Sequence, residues 1–255
     1  MIIQVIILWK VISVISSLLS GASFTIIAFE ILIRVFIIFC ILPVHECAHA
    51  WAAYKLGDPT ARNRGRMTLN PMAHIDWYGA GALMLLGFGW AKPVPVQPVY
   101  FNDQRHRQRG LALVAAAGPG SNLLVAMIGS LILRIVACFP LGLETSFTLR
   151  YAFSTFIGIN VALAIFNLLP IPPLDGSNIL NWILPDKWSY WLEKNSRIIG
   201  SIFMAVFVID LIFRLGILGS VIGGVSNAVF EGIWGGVDKL FGLLGLPARW
   251  FNPGY

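Results

Sequence analysis

Charge is what this sequence has least of. Only 12% of its 255 residues are Asp, Glu, Lys or Arg, where a soluble domain carries about 25%. Hydrophobic residues make up 57%, so the composition points away from a soluble domain and towards a polytopic membrane protein. Cysteine is scarce too. The three present, Cys40, Cys47 and Cys138, lie in apolar stretches with no C-x-x-C among them, which argues against a disulfide framework and against a cysteine zinc site. Acidic residues number 12 against 18 basic ones, for a net charge of +6. The basic residues sit mostly in two short loops, as cytoplasmic connections do under the positive-inside rule. No RNA- or DNA-binding signature accompanies them, so no nucleic-acid partner is implied. The opening "MIIQVIILWK" is apolar rather than basic, and Lys10 interrupts it. It therefore reads as a retained first span, at 4–22 or shifted to 11–29, and not as a removable signal peptide.

What the sequence has in abundance is long apolar runs. Hydropathy places about six membrane helices, near 4–22, 27–55, 109–139, 149–169, 198–222 and 225–246. The expected architecture is all-α, one transmembrane domain over 1–255. Its core would cover about 27–185, with additional spans in 1–26 and 198–255. Between the second and third helices, 57–108 is rich in Gly, Pro, Arg and Asn. Lys55, Arg62, Arg64 and Arg66 open this stretch, and Arg105, Arg107 and Arg109 close it. Both clusters are expected in the cytoplasm, the membrane being most simply the cell membrane. Within it, "LLGFGWAKPVPVQPVYF" is too apolar for an ordinary loop and too broken for a helix. Val and Tyr alternating with Pro93, Pro95 and Pro98 predict a membrane-associated β-hairpin. Pro93 and Pro95 remove donors from one edge, which leaves Val94 and Val96 on an edge able to pair. A plain proline-rich connector is the competing reading.

Two motifs carry chemistry. In "ILPVHECAHAWAAYKLGD", residues 41–58, His45 and His49 stand four apart, one helical turn along one face. That spacing suits two imidazoles on one metal with Glu46 beside them as base. It also suits two histidines hydrogen-bonded across a polar cleft, and the pentapeptide alone leaves both readings open. Downstream, "NLLPIPPLDG" runs from Asn167 to Gly176. Its prolines must end the helix that precedes it. Asp175 follows the break, either as a ligand at the depth of the histidines or as an N-cap for 177–184.

His45-Glu46-x-x-His49 followed by Asn-x-x-Pro-x-Pro-x-Leu-Asp-Gly at 167–176 resembles the site-2 protease family of intramembrane zinc metalloproteases. The likeness extends to "RMTLNPMAHID" (66–76), "FGWAKPVPV" (88–96) and "AGPGSN" (117–122). It implies one Zn²⁺ held by His45, His49 and Asp175, with Glu46 activating water. It implies that 85–98 forms a β-loop and that substrates are transmembrane segments of other membrane-anchored proteins, cut within the bilayer near the cytoplasmic face. Val94 and Val96, together with Asn122 and Asn167, are the substrate-binding candidates. For the two asparagines, hydrogen bonding between helices is the equal alternative. The connection 98–108 is too short to insert a PDZ domain, so the resemblance is to a small, PDZ-less member. His74 and Asp76, in "NPMAHIDWYG", read as loop caps.

Two other functions stay in view. A metal transporter or sensor needs ionisable residues along several spans, and the carboxylates are scattered. A proteolytically silent homologue that only binds zinc and helices has no need of Glu46.

Overall fold

The computed structural model describes residues 31–86, 89–213 and 215–246. They fall in two compact units that divide between Gln104 and Arg105.

The first unit is organised by helix α1, Ile31–Lys55, which is long and apolar enough to cross a bilayer. Ile38, Ile41, His45, His49 and Ala53 are all buried. Their spacing of three and four makes one continuous stripe. On other faces Phe39 and Trp51 are exposed, where a bilayer would receive them. After α1 come a short helix α2 (Thr60–Asn63), a 3₁₀ turn (Pro71–Ala73) and helix α3 (Trp77–Leu86). Asp58 is fully buried between them. Its carboxylate accepts from the Thr60 N–H at 2.9 Å and from the Gln97 N–H at 2.6 Å. One side chain thus satisfies the first N–H of α2 and pins a strip of chain 39 residues downstream.

The second unit is a helical bundle: α4 (Arg107–Val136), α5 (Leu143–Asn167), α6 (Gly176–Ile183), α7 (Asp186–Phe213) and α8 (Ile217–Leu243). Ala126 of α4 and Ile157 and Val161 of α5 form its buried centre, with Phe230 and Ile233 of α8 packed on them. A Cβ on Gly129 would stand 3.0 Å from the Phe156 ring, so glycine lets α4 and α5 approach. Close packing of this kind is what joins helices where lipid removes the hydrophobic drive. Arg134, 2% exposed, donates from Nε to Asp238 Oδ1 at 3.0 Å and ties α4 to α8.

Two expectations are corrected. Four described helices, not six, are long and apolar enough to span: α1, α4, α5 and α8. The expected span at 4–22 lies outside the described residues. The one at 198–222 runs across a real break, because Gly216 takes a left-handed conformation (φ 70°) that starts α8 at Ile217. The β-hairpin is absent as well, since no strand occurs among the described residues. Residues 77–86 coil into α3, and Pro98–Tyr100 form a 3₁₀ turn, which leaves 89–97 without regular structure and without a partner strand among the described residues. Pro93 and Pro95 remove two donors there, and some of the remaining backbone groups find other partners, described next.

Candidate metal centre

The histidines owe their setting to a local irregularity. Pro43 has no N–H, so a regular helix would lose a bond at that point. The chain answers with a π-turn over Ile37–Ile41, in which the Leu42 N–H donates to the Ile37 carbonyl five residues back. Such turns are frequent beside functional sites. Two residues further on, His45 and His49 are 5% and 7% exposed. Their Nε2 atoms lie 3.0 Å apart, with the rings edge to face and centroids 4.7 Å apart. Two nitrogens on one tetrahedral zinc, each bonded at about 2.0–2.1 Å, would stand about 3.3 Å apart. The pair thus needs only a slight adjustment to fit zinc, with each ring's proton on Nδ1. Glu46, the next residue along, is half-buried.

Arg66 is the side chain the sequence reading missed. Its place in a basic cluster made it look like one more solvated cytoplasmic charge, yet it is 7% exposed. Its guanidinium donates to the Lys92 carbonyl and, at 3.3 Å, to the Pro93 carbonyl. Burial lowers the pKa of Arg66, and the Glu46 carboxylate works against that shift. Lys92 N–H donates to the His74 carbonyl at 2.8 Å. The extended segment is therefore held by Arg66, His74 and Asp58 in place of a second strand. Val94 and Val96 lie half-buried between these anchors, and their N–H groups have no hydrogen-bond partner among the described residues. His74 itself sets Nε2 2.8 Å from the Thr68 carbonyl, and Asp76 accepts from the Gly79 N–H at 2.9 Å. Both are the local caps expected of them.

In the second unit, α5 ends at Asn167 and the proline-rich turn follows. Asp175 occupies the residue before α6 but has helical dihedrals (φ −56°, ψ −38°), and its side chain makes no capping bond. An N-cap would take an extended conformation and bond to the second or third N–H of the helix. The carboxylate is thus not spent on α6, and its Oδ2 is buried. Gly176 is required next to it, because a Cβ there would meet the Leu168 carbonyl oxygen at 2.2 Å. Asn122 is 1% exposed on α4. The Asn167 Nδ2 donates to the Leu163 carbonyl of its own helix at 2.9 Å.

Residues 137–211 match the profile of Peptidase family M50. The chain is 39% identical over 170 residues to "Putative zinc metalloprotease YwhC" of Bacillus subtilis, a match covering 66% of this chain and 76% of the relative. It is 33% identical over 144 residues to "Putative zinc metalloprotease Rip2" of Mycolicibacterium smegmatis, covering 54% of this chain and 52% of that protein. The Mycobacterium tuberculosis protein of the same name is 30% identical over 137 residues, covering 53% of this chain and 51% of the relative. The matches thus span about half the length of the mycobacterial relatives. No solved structure matches the chain. With the H-E-x-x-H pair buried on a helix able to span a bilayer, these likenesses are decisive: the chain belongs to peptidase family M50, the site-2 protease family of membrane zinc metalloproteases.

Proposed function

We propose that this M50 peptidase cuts peptide bonds within or near transmembrane segments of membrane-anchored proteins, as in regulated intramembrane proteolysis. His45, His49 and Asp175 hold the zinc, and Glu46 is the base. The observation that carries this is the pair of buried imidazoles, their Nε2 atoms 3.0 Å apart, on a helix of membrane length. The exposed Lys55, Arg62 and Arg64 at the end of that helix support a site near the cytoplasmic face of the cell membrane.

Zinc, when bound, supplies Lewis-acid polarisation and makes water acidic enough to react near neutral pH. The protein's own groups do the rest. Glu46 takes a proton from the attacking water and passes it to the leaving amine as the C–N bond breaks. A substrate helix keeps its carbonyls in its own hydrogen bonds, so it must unwind before attack. The exposed backbone then needs partners, since none come from lipid. The N–H groups of Val94 and Val96 supply two. Their segment is anchored at both ends, so little ordering is needed on binding.

Purified protein in liposomes, given a reporter with one transmembrane helix, should release fragments whose new termini map inside or beside that helix. A chelator should stop the release, and added zinc should restore it. Cleavage confined to soluble peptides would overturn the reading. Val94→Pro deletes one of the two N–H groups. It should lower cleavage about tenfold, the worth of one backbone hydrogen bond, at unchanged zinc content. A wild-type rate would reduce 92–97 to a connector.

A further inference from the structure

The second unit contains a cleft that the peptidase chemistry does not use. It lies between α5, α7 and α8 and encloses about 440 Å³, far more than one or two waters occupy and within the range of ligand pockets. Gly158 and Ala162 of α5 line one wall, and Gly219 and Gly223 of α8 another. Each pair is a small-x-x-x-small repeat, the pattern that lets a second helix backbone come close in a membrane. A Cβ built on Gly158, Gly219 or Gly223 meets nothing within 4 Å, so these glycines are not already spent on packing inside the protein.

Ser226 supplies the independent sign that something binds there. It lines the same cleft and is 8% exposed. The hydroxyls of Ser121, Ser130 and Ser220 donate to carbonyls three or four residues back in their own helices. Ser226 Oγ has no hydrogen-bond partner among the described residues. An apolar tail could not satisfy that hydroxyl, and a buried polar group without a partner is costly. Asp210 on the wall of α7 is already engaged, its Oδ1 accepting from the Ile217 N–H at 2.9 Å, so it is Ser226 that asks for an occupant bringing a hydrogen-bonding group along with a narrow apolar face.

We propose that this cleft is the docking groove for the substrate's transmembrane helix, gripping a small-residue face that carries a Ser, Thr, Asn or Gln. This rests on the reading that the substrate is a transmembrane segment. Its depth gives it a register. Gly200 of α7 passes beside the Pro172 carbonyl of the Asp175-bearing break, where a Cβ would stand at 3.2 Å. Phe207 and Asp210 lie seven and ten residues further on, or about 10–15 Å along the helix at 1.5 Å per residue. Gly158 is nine residues before the end of α5, about 13 Å on the same scale. A helix seated in the groove therefore reaches the level of the break about seven to ten residues from its small-residue motif.

The test uses the zinc-loaded full chain in liposomes with a reporter helix bearing one such motif. Gly223→Leu and Gly219→Leu fill the groove and should raise KM at least about tenfold, as overpacking does, with zinc content as in the wild type. Ser226→Ala should raise it about three- to tenfold. Moving the motif four residues along the reporter should move the cleavage site by four. Where a leucine variant fails to fold, capture decides: in a Glu46→Gln background and with a mild thiol oxidant added to take up the two electrons, Gly223→Cys should form a disulfide with a cysteine in the reporter's motif. A wild-type KM in the leucine variants, a cleavage site that ignores the motif, no capture, or capture only of a second copy of this chain each overturns the groove. Capture of the helix by the Gly223→Cys variant, with no membrane reporter cut by the wild type, instead overturns the reading of its substrate and leaves the groove standing.

Discussion

Glu46→Gln should bind zinc as the wild type does and lose about 10²–10⁴-fold in cleavage, the range a positioned general base contributes. The substitution keeps the shape and removes only the ability to take a proton. It leaves the imidazoles of His45 and His49 untouched, with their Nε2 atoms converging from one buried face. Zinc content and reporter cleavage, measured on the same preparation, separate the two properties. Substantial turnover at full zinc would remove Glu46 from the chemistry. Zinc lost along with activity would show instead that Glu46 holds the site together, for example through its electrostatic link to Arg66.

The features that were legible in the sequence are local ones. Two histidines four apart need only a helix to bring them together, and the apolar run of α1 guarantees one. The stop after Asn167 is written in Pro170, Pro172 and Pro173. The failures are mostly long-range. Val alternating with Pro across 92–98 looks like a strand, but strand pairing needs a neighbour, and no partner strand occurs among the described residues. Nothing local to Arg66 distinguishes it from the exposed Arg62 and Arg64 four and two residues earlier, because its burial depends on carbonyls 26 and 27 residues away. Gly216 sits in an apolar run that hydropathy reads as continuous, and its positive φ marks the start of α8. Asp58 gave the clearest overlooked signal. Asp-Pro-Thr is a turn with a capping carboxylate, although the second bond, to Gln97, could not be read from it.

In the proposed ligand set Asp175 joins the two motifs, and substitutions there should have the largest effect on zinc itself. Asp175→Ala leaves zinc two imidazoles and solvent. Loss of an outer-shell partner already costs about 10–100-fold in metal affinity, so loss of a direct ligand should cost at least about a hundredfold, or about 2.7 kcal/mol. Occupancy and cleavage should then fall together, and the thermal stabilisation that zinc confers should go with them. Asp175→Glu keeps the charge but lengthens the reach by one methylene, which should misplace the oxygen and lower activity more than occupancy. Asp175→Asn is the discriminating variant. A helix cap would survive it, because Asn caps as well as Asp, but the carboxylate of Asp175 makes no capping bond to α6. A neutral amide is a far poorer partner for zinc than a carboxylate, so Asn should resemble Ala in both readouts. Zinc per protein and reporter cleavage across the Ala, Glu and Asn variants decide the matter. Full zinc and full activity in Asp175→Asn would leave His45 and His49 without this third ligand and send the search to another oxygen donor.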